Sequence, residues 1–143
     1  MRRTLLVLVV LGAMAAGAVE AAGAPPAPEP GAYVATIQTA RGRYRAVIRD
    51  PAMVERAWME LSGQGDAGVP VGPLAWGDGG VNRGHRWHVT ELGFADFTIE
   101  LCDGTAWMVD RDPVYWVETV GSFCPWTGEV VRLVPLSTRP GSR

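Results

Sequence analysis

Histidines and carboxylates gather in one stretch of this chain, in a combination that could perform acid–base chemistry or hold a metal ion. His85 and His88 precede a run that contains Glu100 and Asp103. A carboxylate beside a histidine can form a general acid–base pair, and the same donors suit zinc or calcium in composition. The structural alternative is that Asp103 begins an ordinary turn and Glu100 pairs with Arg86 across a hairpin. Both stay open, because the sequence contains no complete catalytic, metal-binding or cofactor-binding motif.

Aromatic side chains are the second candidate for binding, since the chain has six tryptophans. Trp76, Trp87 and Trp107 would form an aromatic binding surface if they were exposed. Trp58 and Trp126 are predicted to lie in the core, and core filling explains most tryptophans in small domains. The candidate binding set is therefore drawn from the neighbourhood of the histidines and consists of Asn82, Trp87, His88, Glu100 and Asp103.

The two cysteines, Cys102 and Cys124, are predicted to form a disulfide. An isolated pair in an exported chain usually oxidises. Closing a loop of about 22 residues would stabilise the fold by about 3 kcal/mol. A nucleophilic thiol or a metal site is the rival interpretation, but the pair lacks zinc-type spacing.

The elements that must position these residues begin with a hairpin. Residues 33–38 and 44–49 are predicted strands, and in the second strand Arg43, Arg45 and Arg49 point to solvent. Asp50 and Pro51 then begin a helix with an apolar face, which ends at Gly63.

The candidate site itself depends on a second predicted hairpin. Residues 69–76 are extended, and residues 85–90 and 94–102 are expected to pair antiparallel across a turn at 91–93. Phe97, Ile99 and Leu101 would then face the core, and His88 would lie near Glu100. A further helix is expected after Asp112-Pro113, with Val117 and Val120 on its buried side, followed by a last strand over 129–135.

The ends of the chain indicate export. A basic start, an uncharged apolar run and small residues make 1–22 a predicted signal peptide, so the product would be secreted or extracytoplasmic, with no membrane attachment after signal removal. Residues 23–32 are a proline-rich linker, 33–136 a single domain and 137–143 a flexible tail.

The net charge is −2 and every cationic residue is arginine. A mildly acidic chain is a poor candidate for nucleic-acid binding.

Three motifs occur in an order that resembles a known family. They are Asn-Arg-Gly-His-Arg-Trp-His at 82–88, Phe-Thr-Ile-Glu-Leu-Cys-Asp-Gly at 97–104 and Phe-Cys-Pro-Trp at 123–126. The chain is similar over most of residues 33–134 to the amino-terminal domain of the calmodulin-binding-protein family, which includes small exported bacterial members. The resemblance implies an α+β fold bridged between Cys102 and Cys124 and implies almost nothing about activity. Calmodulin is not an expected partner, because its targets are basic amphipathic helices and the predicted exported domain has none.

The sequence thus predicts an α+β domain with a small, mainly antiparallel sheet, one or two short helices and one disulfide. The favoured function is an exported, non-catalytic binding or interaction domain for a protein, a glycan or an envelope component. The alternative is a small exported enzyme or metal-binding protein that uses His88, Glu100 and Asp103. A protease-inhibitor-like loop at 63–83 is a weaker third possibility.

Overall fold

The computed structural model describes residues 27–137. The predicted signal peptide at 1–22 lies outside the described residues, as do the first part of the predicted linker and all but Ser137 of the predicted tail. Within 27–137, no helix is long and apolar enough to cross a membrane.

The first sheet is built around the amino-terminal hairpin. Strands β1 (Tyr33–Gln38) and β2 (Arg43–Ile48) pair antiparallel, and β7 (Glu129–Pro135) pairs with the other side of β1 to give the order β2-β1-β7. Alternate residues of β1 are buried, which leaves Val34, Thr36 and Gln38 on the outer face. The predicted hairpin is confirmed to within one residue.

Helix α1 (Pro51–Leu61) packs against this sheet, and its ends are as predicted. The Asp50 side chain accepts a hydrogen bond from the backbone N–H of Ala52, and Pro51 occupies the first turn, where its missing N–H costs nothing. Val54 and Ala57 are buried on its inner face.

The second sheet is centred on β3 (Val69–Trp76). Strands β4 (Trp87–Val89) and β5 (Gly93–Ala95) both pair antiparallel with β3, and β6 (Ser122–Phe123) pairs with Gly72 and Pro73. The predicted hairpin between 85–90 and 94–102 is therefore wrong. Leu92 does not sit in a turn but is buried, and its N–H donates to Val47 O of the first sheet.

The segment after Ala95 does not continue as a strand. Phe97, Ile99 and Leu101, expected in the core, are 86%, 69% and 60% exposed. The register explains this, because Ala95 already pairs with Val69, the first residue of β3, and no backbone partner extends beyond it. The chain instead forms a 3-10 turn at Glu100–Cys102.

The predicted disulfide is confirmed. Cys102 and Cys124 are bonded, with their Cα atoms 5.1 Å apart. Trp126, which was expected in the core beside this bridge, is instead 45% exposed.

Two helical segments lie between the cysteines. Helix α2 (Ala106–Arg111) was not predicted, and it begins where the Thr105 side chain accepts from the N–H of Met108. The segment predicted after Asp112-Pro113 is a π-helical turn, Tyr115–Val120. Its Val117 and Val120 pack partly buried against the core, as expected.

The two sheets meet in an aromatic core. Trp87, Tyr44, Phe123 and Trp116 are buried, and their contacting ring centroids lie 5.2 to 5.7 Å apart. Such tilted and edge-on aromatic pairs stabilise a core beyond their buried area. The predicted α+β class with mainly antiparallel strands and one disulfide is confirmed.

Candidate functional site: an arginine groove

The three residues on which the acid–base hypothesis depended have separate surroundings. His88 Nδ1 lies 2.9 Å from Gly77 O, and its ring packs on Gly79, where an added Cβ would come within 2.4 Å of the imidazole. Asp103 accepts a hydrogen bond from the Trp126 N–H at 2.8 Å, and Glu100 is exposed at the start of the 3-10 turn. Among residues 27–137, no three His, Cys, Asp or Glu side chains are grouped to hold a metal ion.

Trp87 and Asn82, the other two predicted binding residues, are buried. The Asn82 side chain accepts from the Arg45 N–H and donates to Trp87 O, both at 2.9 Å. Asn82 therefore fastens the loop at 80–85 to strand β2. Trp87 is fully buried, so it contributes to the core rather than to an aromatic surface.

That loop forms one wall of a groove over the outer face of the first sheet. Arg43 and Arg45 enter it from β2, Arg132 from β7 and Arg83 from the loop, in a cavity of about 560 Å³. We call this cavity the arginine groove. Thr36 of β1 pairs in register with Arg45 on one side and with Arg132 on the other. Residues opposite each other in a sheet project on the same face, so two guanidinium groups flank one threonine hydroxyl.

The charge of the arginine groove is not balanced locally. No carboxylate lines it, and within residues 27–137 none of its four guanidinium groups makes a hydrogen bond or an ion pair. Four other arginines are engaged: Arg49 pairs with Glu91, Arg56 pairs with Asp96, and Arg41 and Arg111 lie over the Trp107 ring. A concentrated positive charge therefore faces solvent in a chain whose net charge is −2.

His85 lies at the edge of the arginine groove, held by a carboxylate from α2. Its Nδ1 is 2.7 Å from Asp110 Oδ1, and the same oxygen accepts from the Trp87 indole N–H at 2.7 Å. Because an ionised carboxylate only accepts hydrogen bonds, Nδ1 carries the proton in this pair. Asp110 thereby fixes both the ring orientation and the tautomer of His85.

A second recess carries the opposite charge. Glu60, Asp66, Asp96 and Glu129 line a cavity of about 600 Å³, which we call the acidic recess. Burial raises the pKa of Glu60, and the neighbouring Asp66 and Glu129 raise it further, whereas the Val130 N–H that Glu60 binds at 3.0 Å lowers it.

Sequence reasoning missed the arginine groove and the His85–Asp110 pair. Arg43 and Arg45 were placed correctly on the outer face of β2, but they were interpreted as solvated charges. The sequence signal for the groove was that no carboxylate occurs at the alternate positions of this strand. A solvated face usually carries charges of both signs. Arg83 and Arg132 lie far away in sequence, so nothing local linked them to this strand.

Comparison with known proteins identifies a family. A family model described as the BP-74 N-terminal domain matches residues 30–137. This match agrees with the resemblance indicated by the three motifs. No curated protein and no solved structure matches the chain.

Proposed function

The chain belongs to the family of the BP-74 N-terminal domain, and from that premise we propose that it is an exported, non-catalytic domain whose arginine groove binds an anionic ligand. The observation that carries this proposal is the set of four guanidinium groups that line one groove without a carboxylate partner in the described chain. The family match supports the fold of the domain and leaves its ligand open.

Arginine is suited to this task because its planar guanidinium forms paired hydrogen bonds with carboxylate, sulfate or phosphate oxygens. Like charges placed together repel one another and lower the stability of the folded state. An anion in the groove would remove that repulsion. The register supports a defined position for it, between Arg45 and Arg132 and over the Thr36 hydroxyl.

Export remains part of this proposal and has independent support. A formed disulfide between Cys102 and Cys124 is typical of proteins in oxidising compartments. The arginine groove would then meet ligands outside the cytoplasm, such as components of a cell envelope or of the surrounding medium.

Acid–base catalysis is a second candidate, but a different residue pair supports it. His85 and Asp110 have the geometry of a histidine oriented by a carboxylate, beside cations that would stabilise developing negative charge. We rank it second because the lining of the arginine groove includes no cysteine, no serine and no carboxylate that could serve as a second acid.

Binding of sulfated dextran, with neutral dextran as the reference polymer, tests the proposal. We expect saturable binding of the sulfated polymer alone, which weakens as salt is raised because salt screens exposed charges. Arg45→Ala should weaken it by about tenfold or more, as for loss of a charge-assisted hydrogen bond.

Arg86→Ala is the matched control, because Arg86 is exposed and lies outside the arginine groove. Equal losses in the two variants would show that net charge, and not the groove, drives binding. No binding by the unaltered protein would contradict the proposal.

A further inference from the structure

The neutral hydrogen-bonding groups of the arginine groove indicate which class of anion it binds. With Nδ1 protonated toward Asp110, the Nε2 of a neutral His85 carries a lone pair, and it makes no hydrogen bond within the described part of the chain. A lone pair beside four cations does not attract an anionic oxygen. It accepts a hydrogen bond from a hydroxyl group.

Gln38 offers a second acceptor. Its amide nitrogen already donates to Thr39 O at 2.8 Å and to Gly42 O at 3.2 Å. The amide nitrogen is thus engaged by the main chain, and the Oε1 atom remains as an acceptor at the wall of the arginine groove. The Thr36 hydroxyl between Arg45 and Arg132 can donate or accept. The groove therefore combines sites for negative charge with sites for neutral hydroxyl groups.

An apolar strip continues from the charged part. An adjoining recess of about 300 Å³ shares Thr36, Arg45, Arg83 and Arg132 with the arginine groove and adds the side chains of Val34, Val81 and Val134. Together the two cavities follow the outer face of β1 from Gln38 to Val34. Four residues of strand correspond to about 13 Å, so a ligand that fills them is elongated.

We propose that the ligand is a linear acidic polysaccharide, a glycan of the uronic-acid type; this inference rests on the proposed function of the arginine groove as an anion site. In this arrangement the carboxylates of the glycan lie between the guanidinium groups, and its ring hydroxyls donate to His85 Nε2 and Gln38 Oε1. The C–H faces of the sugar rings cover the apolar strip of Val34, Val81 and Val134. Each property of the groove then has a counterpart in one repeating unit.

Other polyanions use fewer of these features. Single-stranded nucleic acid is held by stacking on exposed aromatic rings, and the one Tyr, Trp or Phe that lines the arginine groove, Tyr44, is 1% exposed. An acidic peptide in strand form needs free main-chain groups, but β1, which forms the floor, is paired on both sides. Polyphosphate has no hydroxyl along its chain to donate to His85.

Direct titration of the purified protein with four probes of equal charge number tests this inference. The probes are an oligogalacturonate, a polyphosphate, an oligoglutamate and an oligothymidylate. We expect the oligogalacturonate to bind about tenfold tighter than the other three, as for one or two added neutral hydrogen bonds. This ranking is measured on the unaltered protein and does not depend on the folding of any variant.

His85→Phe sharpens the test, because phenylalanine keeps a ring against Trp87 and removes the acceptor nitrogen. It should bring oligogalacturonate affinity down to that of polyphosphate and leave polyphosphate binding unchanged. His88→Ala, which alters the chain's other histidine, should change neither affinity.

The outcomes separate the two proposals. Polyphosphate, oligoglutamate or oligothymidylate binding as tightly as oligogalacturonate would overturn the glycan assignment and leave the anion site standing. A His85→Phe variant that keeps the full preference for oligogalacturonate would also overturn it. If none of the four probes binds, both the glycan assignment and the proposed function fail.

Discussion

The arginine groove and the acidic recess are similar in size and opposite in charge, yet their charges are used differently. In the acidic recess, Glu60 binds the Val130 N–H, Asp66 binds the Gly68 N–H at 2.7 Å and Asp96 pairs with Arg56 at 2.8 Å. In the arginine groove, no guanidinium group has a partner within residues 27–137. Three of the four acids that line the acidic recess are thus bound to the scaffold, whereas the four arginines are available to a ligand.

One strand serves both regions. Glu129 and Val130 of β7 line the acidic recess, and Val131 and Arg132 line the arginine groove. The register of β7 against β1 shifts between Thr36 and Ile37, so the bulge falls at this changeover. A bulge redirects side chains locally, and here it accompanies the change from one lining to the other. A charged cluster thus indicates a binding site when the fold leaves its charge unbalanced.

The largest expected effect is on binding, from removing the two arginines that flank Thr36. Arg45→Ala combined with Arg132→Ala should weaken anion binding by about a hundredfold or more, since each charge-assisted hydrogen bond contributes about 1.5–3 kcal/mol. The free energy of unfolding should stay the same or rise, because repulsion between like charges is relieved. Calorimetric titration and urea unfolding measure the two quantities.

Arg56→Ala, beside the acidic recess, is the opposite case. It removes the partner of Asp96 and the donor to Phe94 O. It should lower the free energy of unfolding by about 1 kcal/mol and leave anion binding intact. If Arg56→Ala reduced binding as much as the double variant, the distinction between the two regions would not hold.

The next expected effect is a fall in the free energy of unfolding when the disulfide is removed. Replacing both cysteines with serine should lower the free energy of unfolding by about 2–5 kcal/mol, as for a small secreted domain. No arginine of the arginine groove lies between Cys102 and Cys124. Anion affinity should therefore be retained below the unfolding transition. Loss of affinity in the folded double variant would show that the groove depends on the bridge.

Replacing Asn82 should have a third, intermediate effect, on both the free energy of unfolding and the affinity for anions. Asn82→Ala leaves the Arg45 N–H and Trp87 O without their buried partner, which should cost about 1–3 kcal/mol of stability. It should also weaken anion binding, because the loop that carries Arg83 is no longer fastened to β2. Asn82→Asp keeps the acceptor for Arg45 but sets a buried carboxylate oxygen against Trp87 O, so its loss of stability should be at least as large, and its negative charge should weaken anion binding further. An Asn82→Ala variant of unchanged affinity would show that the wall of the groove is held by other contacts.

The smallest effect concerns the pH dependence of the acidic recess. Since burial raises the pKa of Glu60, the folded state binds this proton more tightly than the unfolded state does. The contribution to stability is fully present below the ordinary carboxyl pKa and is lost as the pH rises through the raised one. Glu60→Gln keeps an oxygen for the Val130 N–H and cannot ionise. Its free energy of unfolding, measured by urea titration from about pH 4 to about pH 8, should fall less than that of the unaltered protein over this range. An identical decline in both proteins would assign it to other groups.

Much of the fold could be predicted because its signals are local. The Asp50-Pro51 helix start, the alternation in β1 and β2 and the cysteine pair each depend on residues near one another or on a single pairing. Helix α2 was missed because its six residues are too few to show a helical period. The exposed Phe97 shows the converse, since an alternating apolar pattern indicates a strand but does not establish that a core lies beside it.

The family, the hairpin, the first helix and the disulfide could be predicted from the sequence alone, because backbone preferences, side-chain alternation and cysteine chemistry act over short range. Which charges remain without partners depends instead on the folded arrangement of distant segments. Arg83 and Arg132 reach Arg43 and Arg45 through the pairing of β7 with β1 and through the hydrogen bonds of Asn82. The electrostatic character of a groove depends on every group within a few ångströms, and those groups come from segments that only folding brings together.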